Sequence, residues 1–185
     1  SSMPTNNKQA DLESVKNYYG KVLSKSEDLK TNACRTAATP PDFLKKCIAN
    51  IDVDVTSKYY GCGLVIPECL SGLSILDLGC GSGRDCFILS QLVGEHGSVT
   101  GIDMTEEQLN VAKRNEDKHA KKFGYAKKNT NFIKAYLEEL DFLPANSFDV
   151  IVSNCVVNLS PNKRAVLQQA FRLLKEGGEM YFSDV

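Results

Sequence analysis

An apolar strand that runs straight into a turn built on alternate glycines, Ile75-Leu76-Asp77-Leu78-Gly79-Cys80-Gly81-Ser82-Gly83, followed by a helical pattern from Arg84, leaves few folds open. Glycine at every second position lets the backbone turn sharply and approach a ligand closely, and the helix that follows offers free N–H groups at its start. From Leu73 onward short apolar runs alternate with longer amphipathic ones. Strands are expected near 74–79, 97–103, 130–135, 147–153 and 178–184, and helices near 84–93, 105–123 and 161–175. Such alternation makes right-handed βαβ units, so the fold class is α/β, a doubly wound, mostly parallel sheet covered on both faces.

Ahead of this unit the periodicity weakens. Asp11 can cap a helix over 12–23, and Pro40-Pro41-Asp42 is a start signal for a second, short one. The Cys-, Pro- and Tyr-bearing stretch around it is too long for a linker and reads as a helical and irregular lid or binding segment. The expected organisation is a disordered tail over 1–10, with Ser1-Ser2 before Met3 having the look of a tag remnant, then the lid segment over 11–72 and the main domain over 73–185. A chain that stops just after its fifth strand is expected to be a fragment, since that strand's outer edge would lack cover.

Twenty-two basic against twenty-three acidic residues give a net charge of -1 and no broad positive field, so nucleic acid is not an expected partner and a small molecule is. Lys113, Arg114, Lys118, Lys121, Lys122, Lys127 and Lys128 cluster, but they interleave with Glu106, Glu107, Glu116 and Asp117 as on a solvated helix face. No apolar run reaches the roughly 18 residues of a membrane span, and a cytoplasmic monomer is expected. Seven cysteines with no CxxC pair, and two histidines in what read as surface segments, favour free thiols or thiolate ligands over disulfides or a zinc finger.

The spacing GxGxG, Asp77 within the first strand and Asp103 ending the second, twenty residues after Gly83, suit a nucleoside better than a dinucleotide. A carboxylate at that point can accept from both ribose hydroxyls and repels a 2′-phosphate. The combination resembles the class I, Rossmann-like, S-adenosylmethionine-dependent methyltransferases. That resemblance implies S-adenosylmethionine as cofactor and S-adenosylhomocysteine as product. It nominates Asp77, Gly79, Gly81, Gly83 and Asp103 as cofactor residues, with Met104, Tyr136 and Leu137, beside Glu138, flanking the adenine, and Tyr60 and Asn154 completing the site. Packing and surface charge are the competing roles for Met104 and the 136–138 residues.

A narrower likeness rests on VKNYYG at 15–20, LKTNAC at 29–34, YYGCG at 59–63, GIDMT at 101–105, SNCVVNL at 153–159 and GGEMYFSDV at 177–185. These resemble the arsenite methyltransferases over nearly the whole chain after residue 11. The resemblance implies that Cys34, Cys62 and Cys155 are the functional cysteines, with trivalent arsenic at Cys62 and Cys155 and an external thiol reductant such as glutathione or thioredoxin. Soft thiolates suit a thiophilic centre, and the arsenic lone pair can attack a sulfonium methyl group with no proton to remove, so no general base is needed. Two departures stand out: the family's fourth functional cysteine and C-terminal domain lie beyond Val185, and Arg35 follows Cys34 where the family often has a second cysteine. Cofactor binding with poor methylation is therefore expected. Another small organic acceptor, in a pocket of Tyr18, Tyr19, Tyr59 and Tyr60, and a thiol-based metal(loid)-binding module without turnover are the other readings. Cys80 and Cys86 are expected to be small buried hydrophobes.

Overall fold

The computed structural model describes residues 41–57, 70–154 and 162–183. Five strands, β1 (Ser74–Leu78), β2 (Ser98–Asp103), β3 (Thr130–Lys134), β4 (Phe148–Asn154) and β5 (Leu174–Ser183), lie in the order β3-β2-β1-β4-β5, and every neighbouring pair is parallel. Helices α1 (Pro41–Ala49), α2 (Val53–Thr56), α3 (Arg84–Val93), α4 (Glu106–Arg114), α5 (Glu116–Phe123) and α6 (Lys163–Leu173) join or cover them. The chain adds β2 and β3 on one side of β1 and then returns to add β4 and β5 on the other. This is the doubly wound α/β architecture, with its reversal of strand order between β1 and β4.

Period-two alternation divides the core between the two faces of the sheet. Ile75, Val150, Val152 and Tyr181 pack on one face with Cys86, Phe87, Leu89 and Val93 of α3 and with Leu109 and Ala112 of α4. Leu76, Leu78, Ile151 and Met180 pack on the other with Val166, Ala170 and Leu173 of α6. Because both faces are buried, the central strands read as unbroken apolar runs. Cys47 of α1 and Val55 of α2 join the first cluster, so the short helix signalled by the prolines belongs to the core. The helix expected over 12–23 lies outside the described residues.

Three local expectations change. The helix expected over 105–123 is two helices, because Asn115 turns its side-chain amide onto the carbonyl of Val111 (2.8 Å) and onto Asp54 (2.7 Å), competing with the helical ladder. The fifth strand begins at Leu174, ahead of Gly177-Gly178, and a register shift against β4 between Phe148 and Val150 accommodates the extra residues as a bulge. His119, expected on a surface helix, is 1% exposed and stacks on Phe87 with ring centroids 4.0 Å apart. The lysine cluster does lie on an exposed face. Among the described residues no helix is long and apolar enough to cross a membrane.

Gly101, in the middle of β2, marks the tightest approach between this sheet and the glycine turn. A Cβ there would sit 2.8 Å from both Cys80 Sγ and Phe132 Cδ1. Replacing it with alanine forces both side chains aside, and overpacking of this kind costs about 1–3 kcal/mol. Gly101→Ala should therefore lower the unfolding free energy from urea titration by that amount, whereas Gly124→Ala, at an open helix end, should act only through its positive φ of 81°.

Candidate functional site

The glycine turn is held to β2 first by backbone hydrogen bonds. The N–H groups of Gly79 and Cys80 both donate to the Ile102 carbonyl, at 2.7 and 3.0 Å. Gly79, Gly81 and Gly83 have φ of 80°, 55° and 92°, the left-handed region, so the alternation of glycines matches three backbone positions that disfavour a side chain. Gly83 is also the residue that opens α3.

Asp103, at the carboxyl end of β2, faces this turn. One carboxylate oxygen accepts from the Gly81 N–H at 2.9 Å and the other from the Thr105 N–H at 2.8 Å. Each oxygen keeps a second lone pair, so the group can still accept from two vicinal hydroxyls. Beside it opens a cavity of about 340 Å³ lined by Met104, Lys134, Ala135, Tyr136 and Glu139. Met104 and Tyr136 are 58% and 59% exposed, an unusual state for large apolar side chains and one that a flat ligand would relieve. Leu137, nominated with them, packs into the second core cluster at 9% exposure and does not line the cavity.

Gln108 was not foreseen. Its Oε1 is the one buried side-chain nitrogen or oxygen among the described residues with no hydrogen-bond partner, and it lies 3.9 Å from where a Cβ on Gly81 would be. Thr105-Glu106-Glu107-Gln108 has the spacing of a capping box, which would consume that oxygen locally. Here Asp103 has already taken the Thr105 N–H, and the Thr105 side chain makes no cap bond. An acceptor is left facing the turn. Lys134 and Glu139 were also not foreseen, since they belong to the site only through the cavity shape.

At the end of β4, Ser153 Oγ donates to the Leu78 carbonyl at 3.0 Å, which ties β4 to β1 where the strand order reverses. Val152 pairs with Asp77 across that junction, and the backbone of Asn154 ends the strand opposite Ser183. Cys34, Tyr60, Cys62 and Cys155 lie outside the described residues. Among the described residues no group of His, Cys, Asp and Glu is arranged to hold a metal ion.

Behind the turn, Asp77 is 2% exposed and accepts from the Cys86 thiol at 3.2 Å. Burial first, and then the charge of Asp85, push its carboxyl up to about 8, against the pull of the Cys86 hydrogen bond. Burial likewise pushes the thiols of Cys47, Cys80 and Cys86 up, so all three are neutral at physiological pH. Cys80 and Cys86 thus pack as small side chains, as expected, with Cys86 also a donor. For Asp77 the folded state holds its proton to higher pH than the unfolded chain does, so its contribution to stability is full below the ordinary carboxylate range and is lost as pH rises towards about 8. Urea midpoints of the wild type should fall relative to those of Asp77→Asn between about pH 4 and pH 8, with parallel profiles as the result that rejects this assignment.

Residues 70–185 match a family model described as a methyltransferase domain. The chain is 58% identical over 175 residues to the arsenite methyltransferase of Aquipseudomonas alcaligenes, covering 94% of this chain and 50% of that protein. It is 54% identical over 174 residues to the arsenite methyltransferase of Homo sapiens, covering 92% and 46%. A solved structure, the arsenic(III) S-adenosylmethionine methyltransferase CrArsM of Chlamydomonas reinhardtii, superposes with a TM-score of 0.76 at 50% identity, over 79% of this chain and 50% of that one. The chain therefore spans about half the length of the curated relatives it matches. With a glycine turn, a carboxylate ending the second strand and a parallel sheet reversing beside them, this chain belongs to the methyltransferase domain family and has the class I S-adenosylmethionine-dependent methyltransferase fold.

Proposed function

We propose that the chain carries the methyl-transfer domain of an arsenite methyltransferase, moving a methyl group from S-adenosylmethionine to trivalent arsenic held by cysteine thiolates. The observation that carries this reading is the identity of 54–58% to arsenite methyltransferases over more than nine-tenths of the chain. Residues 73–185 are the cofactor domain in this reading, and 11–72 bring the first two functional cysteines, Cys34 and Cys62, to it.

The residues at the turn fit the cofactor. When bound, S-adenosylmethionine supplies an electrophilic methyl group on a sulfonium centre. Asp103 has lone pairs left for the ribose hydroxyls, Gln108 has an unused acceptor, and Met104 and Tyr136 present apolar faces for the adenine. Gly79, Gly81 and Gly83 keep side chains out of the ligand's path, and Asp77 sits behind them. Tyr60, Asn154 and the backbone at Leu137 complete the proposed site.

Cys62 and Cys155 are the proposed arsenic ligands, Cys34 the third functional thiol, and an external thiol such as glutathione or thioredoxin the reductant. Three of the seven thiols, Cys47, Cys80 and Cys86, are removed from consideration by burial, which keeps them protonated, and a thiolate is the form that binds. Attack by an arsenic lone pair transfers no proton, so the protein's task is to align two reactants and exclude water, worth roughly 7–11 kcal/mol in favourable cases. His119 supplies no base: its two ring nitrogens are taken by Asp52 and Asn115.

Titration of the reduced protein with arsenite should give tight binding that is lost in both Cys62→Ser and Cys155→Ser. Binding retained in both would leave a methyltransferase with a different acceptor. Asp103→Asn and Gln108→Leu should each weaken S-adenosylhomocysteine binding by about tenfold, the loss of one good hydrogen bond of ~1.4 kcal/mol, without altering arsenite binding.

A further inference from the structure

The short segment Asp52–Ser57 is clamped to the domain at both ends. At its start the Asp52 N–H donates to His119 Nε2 at 3.0 Å, while His119 Nδ1 carries the proton and donates to the Asn115 carbonyl at 2.8 Å. Lys118 pairs with the Asp52 carboxylate, and Arg114 makes a bidentate contact with Asp54 at 2.7 and 2.8 Å. Near its end the Val55 side chain is wholly buried, and the Val55 carbonyl accepts from Ser82 Oγ at 3.0 Å. Ser82 stands between Gly81 and Gly83, two of the left-handed glycines, and its neighbour Gly81 donates to Asp103.

A side chain of the glycine turn is thus tied to a carbonyl 27 residues upstream, and the short segment that bears this carbonyl is held at its start by an imidazole from α5. We propose that Ser82 and His119 are positioning residues for the cofactor, clamping α2 between them so that the glycine turn keeps the shape that presents Gly81 and Asp103 to the nucleoside. Neither touches the ligand in this scheme. The inference rests on reading the turn as the S-adenosylmethionine site.

The clamp needs a neutral ring, because Nε2 must accept. Burial lowers the His119 imidazole below its ordinary value, opposed by the Asn115 carbonyl and the Asp52 carboxylate and helped by Lys122 and Lys118. Of the other charged groups around it, α5 contributes Glu116 and the loop before β3 contributes Lys128, while α3 faces it with the uncharged Phe87 and Ser90. The contact is therefore present above the ordinary imidazole range and is lost as pH falls below it.

The test is calorimetric titration with S-adenosylhomocysteine of the wild type, His119→Phe, His119→Gln, Ser82→Ala and the His119→Phe/Ser82→Ala double variant, between about pH 8 and about pH 5. Phenylalanine keeps the stack on Phe87 and removes the acceptor, whereas glutamine keeps an acceptor. His119→Phe and Ser82→Ala should each weaken binding about fivefold at the higher pH, a modest coupling between linked sites. His119→Gln should bind like the wild type there. The double variant should lose no more than the worse single one, since both break one clamp. On acidification the wild type should fall towards His119→Phe while His119→Gln holds. Equal affinities in all five proteins at every pH would overturn the clamp, as would losses that add in the double variant. Absence of S-adenosylhomocysteine binding by the wild type would overturn the cofactor reading itself and the clamp with it, a result distinct from the other two.

Discussion

The carbonyl of Ile102 accepts from two successive N–H groups, and the glycine turn hangs on it. Because that carbonyl belongs to the last turn of pleat in β2, the turn is fixed to the strand that carries Asp103, and the carboxylate then closes the arrangement by accepting from Gly81. A flexible, glycine-rich loop would otherwise lose considerable entropy on ordering around a ligand. Here most of that cost falls on folding, with the sheet supplying the rigidity. Gly101 is the counterpart on the opposite side: its missing side chain makes the room that Cys80 occupies, so the turn can lie flat on β2.

The sheet and its helices were legible because the signals that specify them are local. The central strands follow from short apolar runs buried on both faces, and α3 follows from a glycine turn with a helical pattern after it. What could not be read depends on contacts far apart in sequence. Asn115 breaks one expected helix into two because Asp54, 61 residues away, binds its amide. His119 looks like a polar residue on a charged helix until α2 and Phe87 enclose it. Gln108 is hidden by a capping-box spacing whose partner amide Asp103 has already claimed. Of the nominated site, Gly81 and Asp103 are joined by a direct bond, Met104 and Tyr136 border one cavity, and Leu137 belongs to the core. Cys34, Tyr60, Cys62 and Cys155 fall outside the described residues, and their roles stand on resemblance.

The described cysteines divide the protein's thiol chemistry by dielectric. A thiol enclosed by α3 and β1 keeps its proton because its anion would lie in an apolar medium beside the Asp77 and Asp103 carboxyls. Such groups are poor nucleophiles and poor ligands for soft ions, whatever their number. If the proposed arsenic substrate is right, a protein with many cysteines needs such discrimination, and burial provides it for these three without any residue dedicated to the purpose.

The contacts of α2 also order events during synthesis. Asp52 and Asp54 find their partners on residues 114, 115, 118 and 119, roughly sixty positions further along. A chain emerging from its N-terminus exposes α1 and α2 well before α4 and α5 exist, so that segment must wait, undocked, until the β1-α3-β2 unit and the two helices after it have been made. The stretch just beyond Ser57, which bears Cys62, is thus synthesised ahead of the surface that anchors its neighbour. The interval is the time taken to translate some sixty residues, roughly 3–12 seconds at about 5–20 residues per second.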